Sequence, residues 1–280
     1  MTDPSPGEPL AVATASGVAV VTIDHPPTNL VDGAFIGALM RVLGELEDDD
    51  TVKVAVFESA DPDFFLMHGD VDGILAMPQG EAPVVVEPNV AAATFQRLST
   101  CRLLTIGAID GAARGGGAEF LLALDVRIGS PRTVVGQPEV AMGILPGAGG
   151  TARLPHVVGR SRALDLLLTG RDIDAAEALE MGWLDAVVPS AQVREYALAQ
   201  AVKVATMPAA SIASIKHVVN TSLQRGLAAG LVAETDAFGQ LVSFGSHEAR
   251  MRRFLAAGGQ TREGETTRMD EIMTATSEEG

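Results

Sequence analysis

Apolar and polar positions follow two periods along this chain, and the balance between them changes near residue 150. In "VATASGVAVVTIDHP", short β-branched runs flank Ser16-Gly17, which predicts two strands joined as a hairpin. Asp32 stands before a stretch in which Phe35, Leu39, Val42, Leu43 and Leu46 share one helical face. That spacing predicts a capped helix over 33–46, stopped by the acidic "EDDD". "VKVAVFES" (52–59) alternates as a strand should, and "DPDFFLMHGD" reads as a loop with turn residues at both ends. Residues 78–86, "PQGEAPVVV", have no period and are expected to form a mobile loop. A helix to about residue 98, a buried strand "RLLTIGAID" and a short strand "DVRIGS" follow.

Beyond 150 the pattern is mostly helical, with segments near 160–169, 174–181, 191–206, 210–225 and 228–243 and one strand-like run, "WLDAVV". Strands alternating with helices predict an α/β core. The expected organisation is a flexible leader over 1–9, a core over 10–190, a helical region over 191–258 and a polar, peripheral tail over 259–280.

Composition narrows the function classes. The 280 residues are 47% hydrophobic and 20% charged, enough to bury a sizeable core. A formal net charge of −16 repels nucleic acid and anionic membrane surfaces at long range, so neither is expected as a partner. No apolar run approaches the ~18 residues of a membrane span. The acidic, proline-containing start "MTDPSPGEPL" lacks the features of a signal peptide. Cys101 is the single cysteine, which excludes an intrachain disulfide and favours a reducing, cytoplasmic setting. It is expected to be a buried small residue.

The chemistry centres on "GAARGGGAEFLLAL". Glu119 follows three glycines and an alanine and precedes five apolar residues, where an ionised carboxylate is costly to bury. Close helix–strand packing alone would explain the glycines, since they lack a Cβ. A dinucleotide fingerprint fails because G-x-G-x-x-G is absent, and a P-loop because no Lys-Ser/Thr follows the glycines of "PGAGGTARLP". The functional alternative is an oxyanion site, in which unpartnered backbone N–H groups in a helix's first turn meet a carbonyl. A second carboxylate, Glu139, lies twenty residues on, in "GQPEVAMGILPGAGG". Taken alone, it reads as a turn or strand-end residue.

Taken together, "AIDGAARGGGAEFLLALDVRIGS", "VGQPEVAMGILPGAGGTARLPHVVG" and the flanking "HPPTNLVD", "FLMHGDV" and "GRDIDAAEALEMGWLDAVVP" resemble the enoyl-CoA hydratase/isomerase (crotonase) superfamily. The resemblance implies a spiral of ββα turns with a helical C-terminal region that assembles trimers or dimers of trimers. It implies an acyl-CoA thioester as substrate, with no metal and no cofactor beyond the CoA that the substrate carries. By the same likeness the oxyanion donors are the amides of Gly69 and Gly116, and the catalytic pair is Glu119 and Glu139. Two glutamates favour hydration of a trans-2-enoyl-CoA. Glu119 is assigned as the main water-positioning base and Glu139 as the proton partner at Cα. Met67, His68, Asp70, Val71 and Arg114 are expected near CoA or substrate, with Met67, Leu75, Met77 and the 78–86 loop as candidates for the acyl pocket.

Departures from the family pattern keep other readings open. His68 stands where glycine is usual, and Arg114 where an aliphatic residue is commoner. Arg114 is expected either to pair with an acidic neighbour or to place charge near the thioester. Asp72 and the absence of basic residues in "HPPTN" leave the CoA phosphate contacts without evident partners, Lys216 being one candidate. Enoyl-CoA isomerisation, decarboxylation, thioester hydrolysis and a non-catalytic acyl-CoA-binding role are the alternatives.

Overall fold

The computed structural model describes residues 7–80, 85–245 and 247–277. The expected leader and the 78–86 loop fall partly outside them, at 1–6 and 81–84. The chain divides into two compact units, Met1–Val202 and Lys203–Gly280.

The hairpin forms as the pattern requires. Strands β1 (Leu10–Ala15) and β2 (Val18–Ile23) pair antiparallel, with Ala15 opposite Val18. Ser16 and Gly17 between them have φ of 51° and 78°, the left-handed pair that matches the twist of a two-residue hairpin. The remaining strands are β3 (Val54–Ser59), β4 (Phe64–Leu66), β5 (Leu104–Ile109), β6 (Ala112–Arg114), β7 (Val126–Gly129), β8 (Val134–Gly136), β9 (Asp172–Asp174) and β10 (Ala186–Val187). Helices of the first unit are α1 (Gly33–Asp48), α2 (Val71–Leu75), α3 (Val90–Thr100), α4 (Gly116–Leu121), α5 (Gly150–Val158), α6 (Arg160–Thr169), α7 (Ala175–Met181) and α8 (Val193–Ala205), the last running just past the boundary.

Two sheets grow side by side. A six-stranded sheet runs β1-β2-β3-β5-β7-β10 and a four-stranded one runs β4-β6-β8-β9. Each turn of chain lays one strand in the first sheet and the next in the second: β3 then β4, β5 then β6, β7 then β8. The strands of successive turns pair in parallel. This is the α/β spiral expected from the resemblance.

The structure corrects several sequence readings. Strand β3 does not alternate: Val54, Ala55, Val56 and Phe57 are all buried, because parallel neighbours flank it and both faces are covered. The segment read as a loop before Gly69 contains β4. Three further strands, β6, β8 and β9, are three residues each, too short for a period to show. Helix α5 begins at Gly150 and carries Pro155 inside it, which hides it from a helix-period search. By contrast α1 matches its prediction closely. Asp32 caps it by accepting from the Phe35 N–H at 2.8 Å, and the five face residues are buried.

The core of this unit converges on Phe120. Its ring lies 5.3 Å from that of Phe57, 5.6 Å from Phe95, 6.0 Å from Phe35 and 6.3 Å from Phe65, mostly edge to face. Trp183 is fully buried and Cys101 almost so.

The second unit is helical, with α9 (Ala209–Arg225), α10 (Leu227–Ser243), α11 (His247–Ala256), α12 (Arg262–Thr267) and α13 (Met269–Ser277). Gly230 lets α10 approach α9, since a Cβ there would sit 2.7 Å from that of Ser222. The segment read as a polar tail carries two helices, with Ile272 of α13 buried. Among the described residues, no single helix is long and apolar enough to cross a membrane.

Candidate functional site

The four-stranded sheet brings the ends of β4, β6 and β8 to one place, and most of the predicted site residues follow them. After β4, the Met67 N–H donates to Asn29 O at 2.7 Å, and His68 O accepts from the Val31 N–H at 2.9 Å. Val31 and Gly69 form an isolated parallel bridge, so the 67–69 segment is tied to the chain before α1. Asn29 is fully buried with φ of 54°, and its side-chain amide donates to Ser59 Oγ and the Phe64 and Phe65 carbonyls. This clamp was not foreseen. Its only signal is an Asn in the short "HPPTNLVD" run, where asparagine tolerates a left-handed backbone.

After β6 the glycines do three different jobs. Gly115 (φ 54°) turns the chain into α4, its N–H donating to Gly136 O at 2.9 Å. A Cβ on Gly117 would lie 1.8 Å from Leu66 O, so only glycine lets α4 pack directly on the end of β4. The Gly117 N–H donates to Met67 O at 2.8 Å and locks that approach. At Gly116 a Cβ would lie 3.2 Å from the Gly69 amide nitrogen. The two proposed donor residues are therefore neighbours. Among the described residues, neither amide donates to a backbone carbonyl.

Glu119 lies one turn into α4 and is 4% exposed. Its Oε1 accepts from the Ala148 N–H at 2.7 Å and the Gly150 N–H at 2.8 Å. Burial pushes its carboxyl above the ordinary range, against those two hydrogen bonds and the charge of Arg153, which pull it down. Arg153 is itself lodged against this loop, its guanidinium donating to Ala148 O and Gln96 Oε1. The "PGAGG" loop thus supplies the amides that hold Glu119, one from Ala148 and one from Gly150.

After β8, Gln137 and Pro138 lead into a single 3₁₀ turn, Glu139–Met142. Glu139 is 7% exposed, and its carboxyl is pushed up to about 7 by burial, with the charge of Glu119 adding to the rise. Among the described residues its Oε2 is buried with no hydrogen-bond partner. The Gln137 amide is in the same condition at both ends. Gln137 Nε2 and Glu119 Cγ both come within 3.0 Å of where a Cβ on Gly150 would be. Sequence reasoning missed Gln137, and no signal beyond its place two residues before Glu139 marks it.

His68 completes this side. The place a Cβ would take on Gly115 is 2.7 Å from Glu139 Oε1 and 3.0 Å from His68 Nδ1. Gly69, Gly116, Glu119, Glu139 and His68 are therefore gathered at the ends of β4, β6 and β8. The others stand differently. The Arg114 guanidinium forks onto Asp172 of β9, with contacts of 2.6–3.0 Å to both carboxylate oxygens. Of its two expected roles, pairing with an acidic neighbour is the one seen. Asp70 caps α2, accepting from the Asp72 N–H, while Met67 is buried and Val71, Leu75 and Met77 are exposed. Lys216 belongs to α9 in the second unit.

A family model described as "Enoyl-CoA hydratase/isomerase" matches residues 13–259. The short-chain-enoyl-CoA hydratase of Clostridium acetobutylicum is 32% identical over 85% of this chain and 91% of its own length. The fatty acid oxidation complex subunit alpha of Idiomarina loihiensis is 37% identical over 67% of this chain, which spans only 27% of that protein. Among solved structures, an enoyl-CoA hydratase from Bacillus anthracis superposes with a TM-score of 0.81 at 26% identity, covering 89% of this chain and 96% of the other. With its ββα spiral and a match over nearly its whole length, this chain belongs to the enoyl-CoA hydratase/isomerase family.

Proposed function

We propose that the protein is an enoyl-CoA hydratase, adding water across the double bond of a trans-2-enoyl-CoA thioester. The observation that carries this reading is the meeting of two buried carboxyls with two adjacent backbone amides. The amides of Gly69 and Gly116 hold the thioester oxygen, whose negative charge grows as the enolate forms, and such donors contribute a few kcal/mol each. Glu119, anchored by two N–H donors on Oε1, is the ionised base. Glu139, with one oxygen unpartnered, is the protonated acid. Glu119 takes a proton from the water as its oxygen bonds to C3. Glu139 gives its own proton to Cα, the double bond's electrons passing through the enolate to form that C–H bond. Return of the proton from Glu119 to Glu139 resets the pair.

Hydration is redox-neutral and draws on no cofactor beyond the CoA of the substrate. The relatives' names support this reading, since one of them is a hydratase of short-chain enoyl thioesters. A homotrimer, or a dimer of trimers, is the assembly we propose. Ile215, Val219 and Leu223 on α9, and Leu227, Leu231 and Val232 on α10, are each more than half exposed and form apolar stripes that a second copy would cover.

The test is to mix the protein with crotonyl-CoA and longer trans-2-enoyl-CoAs, following loss of the conjugated thioester absorbance and the product mass. Hydration adds the mass of one water to the intact thioester. An isomer of unchanged mass, a decarboxylated product or free CoA would replace hydration with the corresponding family reaction. Binding without turnover would make the chain a non-catalytic subunit.

A further inference from the structure

His68 is an oddity that hydration by two glutamates leaves unused, since a glycine suffices in its place. The structure aims it nonetheless. Its backbone is fixed by the bridge to residues 29–31, and its Nδ1 is buried without a hydrogen-bond partner among the described residues. That nitrogen and Glu139 Oε1 both border the space over Gly115 that a Cβ would fill. Two polar groups, each with an unpartnered buried atom, therefore line one small gap in which glycine alone leaves room. We propose that His68 is a positioning residue of this site, its imidazole closing the space over Gly115 and holding Glu139 in the protonated form that donates to Cα. The proposal rests on the hydratase reading for its chemical meaning.

The charged surroundings favour this. Arg114 from β6, with Asp172 from β9, stands beside the ring, while Glu139 faces it from the 3₁₀ turn. Glu119 of α4 lies beyond Glu139 with its charge tied to the 148–150 amides and Arg153. Asp70 is turned away to cap α2, and the His25–Asp32 pair flanks Val31. Burial, and then Arg114, depress the imidazole's basicity, with Asp172 opposing, so the ring is neutral at pH 7. With its hydrogen on Nε2, a neutral ring leaves the unpartnered Nδ1 lone pair on the gap that Glu139 also borders. A lone pair and an apolar ring edge both disfavour a carboxylate there, and both favour the carboxylic acid.

Three variants separate these effects from loop packing. His68→Gly opens the space to water and removes the lone pair. His68→Phe keeps the bulk without the nitrogen, and His68→Asn restores an acceptor near the Nδ1 position. Glu139 is titrated directly by ¹³C NMR of protein labelled at glutamate carboxyls, its signal assigned by loss in Glu139→Gln. This readout needs no substrate, so it stands even if no enoyl-CoA is hydrated. The expected result is a Glu139 midpoint lower by about one pH unit in His68→Gly, as water reaches the carboxyl and favours its charged form. His68→Asn should recover most of it and His68→Phe part of it. In an active enzyme, the basic limb of kcat/KM should move with the midpoint. An unchanged midpoint in folded His68→Gly overturns the proposal, and so does a rise, which would mean that Nδ1–H donates to the carboxylate. A normal titration shift with no hydration of any enoyl-CoA would instead overturn the hydratase reading alone.

Discussion

At the scale of single residues, the site depends on giving two carboxyls different surroundings. Glu119 has two amide donors on one oxygen, while Glu139 has a buried oxygen with none. The proposed mechanism requires one proton on the pair, so kcat/KM should be bell-shaped in pH, with its basic limb near pH 7 where Glu139 ionises. Measurement of initial rates from pH 5 to 9 checks this; a plateau extending to pH 9 would contradict it. The same burial sets a stability cost. The Glu139 carboxyl rises from an ordinary 4.5 to about 7 on folding. The folded state therefore binds the proton more tightly, and stability falls as pH climbs from about 4.5 through 7. Glu139→Gln has no such penalty. Its stability relative to the wild type should improve across that window by on the order of 2 kcal/mol, read by urea unfolding at pH 5 and pH 8. A difference that is the same at both pH values would count against a protonated Glu139.

At the scale of elements, α4 carries the design. One side of this short helix is Phe120, plugged among four other phenylalanines, and the other presents Glu119 to the 148–150 loop. Its seat on β4 needs glycine at 117. Gly117→Ala puts a methyl 1.8 Å from Leu66 O, so β4 and α4 must separate, and a displacement near 1 Å should lower kcat/KM by about 10²-fold. Gly37→Ala is the contrast. Nothing lies within 4 Å of its Cβ, and in the interior of α1 it should add up to about 1 kcal/mol of stability with little change in rate. Equal effects from the two substitutions, in thermal melts and rates, would show that the close approach is unimportant. The elements differ in how much of them the sequence alone reveals. Helix α1 was legible because its cap and five-residue face repeat over several turns. Strands β4, β6, β8 and β9 were not, since three residues hold no period and their pairing is set by chain far away. Glu119 was legible as an odd carboxylate beside glycines, whereas Glu139 stood out only through the family resemblance. Gln137, Asn29 and Asp172 were not, because what singles them out is a partner, or the lack of one, 30 or more residues distant or folded against them.

At the scale of the whole molecule, the apolar stripes on α9 and α10 are the feature that a single chain leaves unexplained. Ile215, Val219 and Leu223 of α9 and Leu227, Leu231 and Val232 of α10 are exposed, while the buried residues of the two helices are Lys216 and Gly230, and the proposed trimer would cover these apolar side chains. Sedimentation should give the mass of three chains or a multiple of three. Leu231→Glu, which puts a charge into the stripe, should shift the distribution toward smaller species. A wild-type protein that sediments as one chain at micromolar concentration would contradict the proposed trimer.

The central claim is that Glu119 and Glu139 work as one unit beside the Gly69 and Gly116 amides, and it is tested most directly by a double-mutant cycle. Glu119→Gln and Glu139→Gln should each lower kcat/KM for trans-2-enoyl-CoA hydration by about 10²–10⁴-fold, and the double variant should fall scarcely further than the worse single one. Either single variant keeping more than about a tenth of wild-type activity would contradict it, as would losses that simply multiply.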